Sequence, residues 1–443
     1  MNLRRFSPLG HLPKQRQIWS WISYDVANQS FTLIINTLLF SIFFGKVVVQ
    51  DDTRDDGLWA LAFGSSMLLA ALMSPIVGAA ADERAWKKTG LVLTAIICAT
   101  FTCALAFIPA GNVWLALALY IPANCAFALG ENFLASFLPA LATEKDVGRL
   151  SAFSWGLAYL AALLLLVLTA GSMLLFKVGG ADEWRPYFIF AGLWFFAFTI
   201  PTIIGLKEPP IPQEKHGRRN FIIVGIRRLA ESIHHLRGYR DLALLLLASL
   251  FYGTGMSVVV SFASKLANEY GFDQVRLVLF MAVITISGVL GTLVPLKFQD
   301  RVGHRRICLM LLGVWVFAAC GFALYAHLYD AHGNAGGVNF PSWPLWVIGN
   351  LLGFGLGSLG SANRAFVSYL APPERAAEIF GIWGLMFKLA ALMTFPFAWM
   401  KDRAGTSEAL LLLAGFIIIG FILTCFINEK RGRAAAEAPG DPS

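Results

Sequence analysis

The sequence predicts an all-α polytopic membrane protein: twelve transmembrane helices in two six-helix bundles. Three observations lead to that class. Apolar residues make up 57% of the 443-residue chain and charged residues only 14%, whereas soluble domains carry about a quarter charged residues. Twelve runs of mostly apolar residues recur along the chain, each about twenty residues long and so able to cross a bilayer at 1.5 Å per residue. Two stretches of the first half also echo in the second, as an internal duplication would leave them.

The spans fall near 19–48, 57–81, 89–109, 113–141, 149–176 and 186–206, then 240–268, 275–298, 306–327, 341–370, 377–400 and 407–428. They divide the chain into a lead (1–18), an N-terminal bundle (19–206), a connector (207–239), a C-terminal bundle (240–428) and a tail (429–443) expected to be disordered. In the connector, Ile222, Ile226, Leu229, Ile233 and Leu236 share one helical face, which describes a basic amphipathic helix lying on a lipid surface. Roughly 25 of the 35 lysines and arginines lie in the lead, the connector, the tail and the loops on their side. Both termini are therefore expected in the cytoplasm, and the short loops suit a bacterial inner membrane. The first echo sets Gly78–Lys88 against Leu296–Arg306, and the second sets Leu141–Gly156 against Leu370–Gly384.

The net charge of +8 resides in short loops, where it sets topology, and no basic–aromatic patch points to nucleic acid. The six cysteines lie in apolar segments without metal-ligand spacing, so they read as small buried hydrophobes. No hydrolase, phosphotransfer or cofactor fingerprint occurs, so an enzyme is not expected, nor a cofactor or metal. Expected partners are a small-molecule substrate, membrane lipid and protons for coupling; the protein is expected to be a monomer.

Polar residues inside the spans mark candidate function. From Trp21 to Phe44 the only charge is Asp25, and Asp25, Asn28, Thr32 and Asn36 recur at helical spacing as one polar stripe. Such a stripe either lines a wet cavity or forms a hydrogen-bond seam between helices. Glu131 (with Asn132 beside it) lies in span four, Arg364 in span ten and Lys388 in span eleven. An intramembrane charge needs protein, water or a partner charge to be tolerated. Asp25, Glu131 and Arg364 lie at similar depth from the cytoplasmic side, which suits an inner gate, the edge of a binding cavity or a fixed ion pair. Arg364 offers a planar, permanently charged fork to a carboxylate.

The loop Gly78, Asp82, Arg84, Lys87, Lys88 resembles the signature of the major facilitator superfamily, and Asp300–Arg306 its counterpart in the second half. More narrowly, Tyr24–Phe31, Phe137–Leu160 and Asn363–Lys388 resemble a family related to the fungal vacuolar amino-acid effluxers. The resemblance implies a fold in which spans one, four, seven and ten line a central cavity, with Asp25, Glu131 and Arg364 around it. It also implies a cytoplasmic latch that includes Gly78, Asp82, Arg84, Asp300 and Arg301, with Arg149 and Glu378 able to pair in the same layer. Ala140, Leu134–Ala135, Thr254 and Gly360 stand where the family carries more polar groups. The function implied is secondary transport of a small polar or zwitterionic solute, an amino acid or short peptide, by alternating access. Export of drugs or apolar metabolites, or a non-transporting sensor or assembly partner, are the other readings.

Overall fold

The computed structural model describes residues 12–51, 53–84, 86–141, 144–208, 227, 230–231, 234–332, 341–372 and 376–437. The side chains at 79, 82–84, 139, 144–149, 151, 152, 237, 296, 300, 332 and 376–378 lie outside this description. Among the described residues, twelve helices are long and apolar enough to cross a membrane. The first six are α1 (Gln15–Val49), α2 (Asp55–Arg84), α3 (Lys87–Ala104), α4 (Val113–Ser136), α5 (Glu144–Phe176) and α6 (Arg185–Gly205). The others are α7 (Arg240–Glu269), α8 (Gln274–Val302), α9 (His304–His332), α10 (Trp343–Leu370), α11 (Ile379–Ala404) and α12 (Thr406–Cys425). The apolar runs set these elements, because a chain in lipid must satisfy its backbone groups within the segment, and a helix does so.

The chain forms two compact units: residues 1–51 with 65–228, and residues 52–64 with 229–443. In the first, α1 packs on α5 and α6, and α3 on α4 and α6. In the second, α7 packs on α11 and α12, and α9 on α10 and α12. Adding six to each number of the first set gives the second, which is the signature of an internal repeat.

The units divide at 228/229, in the connector, and residues 52–64, which include the start of α2, also group with the second unit. The reason is ionic. Asp55 and Asp56, which fall between the expected spans 19–48 and 57–81, open α2 and are held by residues of α7 and α11. The Lys265 ammonium lies 2.7 Å from Asp55 and also pairs with Asp56. Lys401 pairs with Asp56 as well, and sits 2.7 Å from Glu269. The indole nitrogen of Trp59 donates to the Ser261 carbonyl at 2.8 Å, fully buried.

Most of the connector lies outside the described residues, including four of the five apolar positions expected on one helical face. The tail is different from expectation. Residues Glu429–Glu437 form a helix, α13, where disorder was expected. Charge explains it: the Arg431 guanidinium makes two bonds of 2.7 Å to the buried Asp241 carboxylate, which also accepts from the Asn428 amide at 2.7 Å. Hydrogen bonding to Asp241 holds the guanidinium above its ordinary pKa. Glu429 accepts from the Arg305 amide at 2.6 Å, capping the N-terminus of α9.

Candidate functional site

In the first unit the polar residues of α1 are spread over two neighbours. Asp25 is half-buried and accepts a hydrogen bond from Ser154 of α5. The Asn28 amide nitrogen donates to Glu131 of α4. Further along, the Asn36 amide donates to Asn124 at 3.0 Å and accepts from the Tyr120 hydroxyl at 2.8 Å, while Asn124 donates to Ser66 of α2 at 2.7 Å. Asn36 and Asn124 are 2% and 0% exposed, so this chain of bonds is an interior seam that ties α1, α4 and α2 together.

The expected single stripe divides within the regular part of the helix: Asp25 meets α5, whereas Asn28 and, beyond it, Asn36 both meet α4. Residues Phe31–Leu38 of α1 wind as a π-helix, with bonds to the fifth residue back, so helical spacing no longer predicts facing direction beyond Ser30. The Thr37 hydroxyl follows the same winding, donating to the Thr32 carbonyl at 2.9 Å. Thr32 itself is half-buried in this segment.

Asn132, next to Glu131, donates to Ser74 of α2 at 2.7 Å. With Gly78, Lys87, Phe133 and Ser136 it lines a recess of about 110 Å³ within this unit. Of the residues expected in a latch, Gly78 is thus described, and Arg301 is exposed on α8. The side chains of Asp82, Arg84, Arg149, Asp300 and Glu378 lie outside the described residues.

In the second unit, Arg364 on α10 is half-buried, its guanidinium carbon 6.0 Å from the centroid of the Trp383 ring. That distance is the outer limit for attraction of a cation to an indole face. Its neighbour Asn363 fixes the local geometry: the Trp383 indole donates to it at 2.8 Å, and it donates to Ser249 of α7 at 2.8 Å. Lys388 on α11 is half-buried. Sequence reasoning missed Ser154, Tyr120, Asn124 and Asn363. The asparagines were visible as amides within apolar spans, a signal overshadowed by the charged residues nearby.

An apolar cavity of about 40 Å³ lies elsewhere in the second unit, among α7, α8, α9, α10 and α12. Its lining is apolar, including Phe280, Ile284, Trp315, Phe322 and Leu413.

Helices repeated six and six, with half-buried charged residues within the spans of each unit, describe a transporter of the major facilitator class. The fold agrees with solved members. It matches the D-xylose–proton symporter with a TM-score of 0.71 at 14% identity, covering 95% of this chain and 98% of that one. The nucleoside transporter NupG (D323A mutant) matches with a TM-score of 0.68 at 14% identity, over 94% and 99% of the two chains. Residues 52–437 match the family described as "Vacuole effluxer Atg22 like", and the chain belongs to that family. Its relatives include the MFS-type transporter YxiO of Bacillus subtilis (strain 168), 23% identical over 95% of this chain and 97% of that protein. Autophagy-related protein 22 of Coccidioides immitis (strain RS) is 24% identical over 85% of this chain and 73% of its own. The protein is thus a multi-pass membrane transporter of a small-molecule substrate, and not an enzyme.

Proposed function

We propose that the protein moves a small zwitterionic solute, an amino acid or short peptide, across a bacterial inner membrane by alternating access coupled to protons, with both termini in the cytoplasm. The observation that carries this reading is the pairing of Glu131 with Asn28 inside the first unit. A half-buried carboxylate held by a neutral amide can gain or lose a proton as its surroundings change, which is what coupling requires. Asp25, bonded to Ser154, is the second acid of this kind. Asp25 and Glu131 are proposed as the proton-linked or cation-binding acids, and Arg364 as the partner of a substrate carboxylate or of the gate. Lys388 and Thr32 add polar contacts. Asp82, Arg84, Arg149, Asp300, Arg301 and Glu378 are proposed as the cytoplasmic gate. The relatives named for vacuolar efflux support an outward direction from the solute-bearing compartment.

The test is flux into proteoliposomes across a panel of amino acids, short peptides and organic cations. A solute-specific signal is expected, lost in Asp25→Asn and abolished in Arg364→Ala, with both variants still monodisperse. Unchanged flux in Arg364→Ala would remove that residue from the site. One observation favours a second reading, export of apolar metabolites: the apolar cavity among α7–α10 and α12. Flux confined to apolar dyes, insensitive to Arg364→Ala, would select it.

A further inference from the structure

Helix α2 is fastened at two places to different neighbours. Its Ser66 and Ser74 accept hydrogen bonds from Asn124 and Asn132 of α4, both at 2.7 Å. Its first turn is held instead by α7 and α11. Lys265 of α7 pairs with Asp55 at 2.7 Å and with Asp56. Lys401 of α11 pairs with Asp56 and, at 2.7 Å, with Glu269 of α7. The Gly57 amide donates to Asp402 of α11 at 3.2 Å, and the Trp59 indole to the Ser261 carbonyl of α7 at 2.8 Å. Trp59 and Ser261 are both 0% exposed. From Trp59 to Ser66 is about two turns of unbroken α-helix.

A short unbroken helix transmits movement, because each amide is bonded to the carbonyl four residues back and no proline interrupts these two turns. Displacing α4 from α7 and α11 must therefore pull on the first turn of α2. That turn is fastened in a way suited to release. Asp56 and Lys265 are buried with their charges, and taking charges out of water costs much of what their attraction returns. When the turn leaves, each charge regains its hydration, so the fastened and released states lie close in free energy. An apolar contact would gain no such hydration on parting. Counting helices from the first, the start of α2 and the ends of α7 and α11 lie at the end of the spans remote from both termini. We propose that residues 55–59 form an ionic clasp at that end, centred on Asp56, which lets go of α7 and α11 and fastens again in each transport cycle. The inference rests on the alternating-access reading for its role, although opening of the clasp can be measured without a solute.

The experiment places a cysteine beneath the clasp. Ser261→Cys is a near-isosteric change at the buried residue whose carbonyl receives Trp59. Its labelling by a membrane-impermeant maleimide in proteoliposomes reports release, measured against the parent protein with its native cysteines. Slow labelling is expected with Asp56 in place. Adding Asp56→Asn should speed it about tenfold or more, since both ammoniums lose a partner. Adding Asp55→Asn, which leaves Lys401 its partners, should speed it less, and serves as the readout if Asp56→Asn does not yield monodisperse protein. A Ser261→Cys protein that stays unlabelled, or is labelled at one rate in all three backgrounds, would overturn the proposal. A second arm oxidises the pair Gly57→Cys and Asp402→Cys, at a place where a Cβ on residue 57 would lie 3.0 Å from the Asp402 carboxylate. The bond should stop flux and a reducing agent should restore it; flux that continues through the oxidised pair also overturns the clasp. A flux panel that finds no solute counts against the transport reading and leaves the labelling result intact.

Discussion

The two units share one packing diagram but fasten it with different chemistry. In the first, α2 and α4 are joined by side-chain amides and hydroxyls: Asn124 to Ser66 and Asn132 to Ser74, both at 2.7 Å. In the second, the corresponding helices α8 and α10 press backbone on backbone. A Cβ at Gly357 would collide with the Gly288 carbonyl, so bare glycine is required there. Small residues allow such approach without relying on polar groups, whereas a polar seam fixes direction because each donor needs its acceptor. The same arrangement of helices can therefore rest on hydrogen bonds in one half and, in the other, on close backbone contact with fewer bonds beside it, from Ser287 to Asn350 and from the Gln299 amide to the Ala362 carbonyl at 2.8 Å.

Substitutions should separate the two devices. The largest effect is expected from Gly357→Leu, where the obstacle is backbone that cannot rotate away. A loss of about 3 kcal/mol or more should appear as failure to recover monodisperse protein by size exclusion. Asn124→Ala comes next, since it leaves both Asn36 and Ser66 short of a partner. About 2 kcal/mol should be lost, read as a lower melting temperature in detergent. Tyr120→Phe removes one hydroxyl from the same chain of bonds and should cost about 1 kcal/mol. The smallest effect is expected from Ser287→Ala, in the second unit, where the serine bonds to Asn350 in a half-buried place. If Ser287→Ala proves as damaging as Asn124→Ala, the contrast between the units fails.

Much of the fold was legible because one physical rule dominates in lipid: a segment must be long, apolar and helical, and apolar runs in the sequence reveal that directly. Contacts that depend on facing direction were harder to read. Asp25, Asn28, Thr32 and Asn36 share a stripe by regular spacing, yet Asp25 meets Ser154 of α5 while Asn28 and Asn36 meet α4, on either side of a π-wound stretch. Asp55 and Asp56 looked like loop acids because their partners, Lys265 and Lys401, lie about two hundred residues or more away in sequence. The tail through Glu437 looked disordered because its order comes from Asp241 and Arg305, not from its own composition. Glu131 and Arg364 were legible for the opposite reason: a charge within an apolar span stands out whatever it faces.

The wide turn of α1 has a consequence for comparing sequences. It works like extra chain spliced into a helix whose two ends are each committed to their neighbours. Dropping one residue between 31 and 38 would scarcely alter length or hydropathy, yet it would shift the reading frame of everything after it by about 100° around the axis. Asn36 would then face a different neighbour, and Tyr120 and Asn124 would lose their correspondent. A relative one residue shorter in this stretch is thus expected to have changed its counterparts of Asn36, Tyr120, Asn124 and Ser66 as a set, so that a single gap in an alignment stands for four coordinated substitutions.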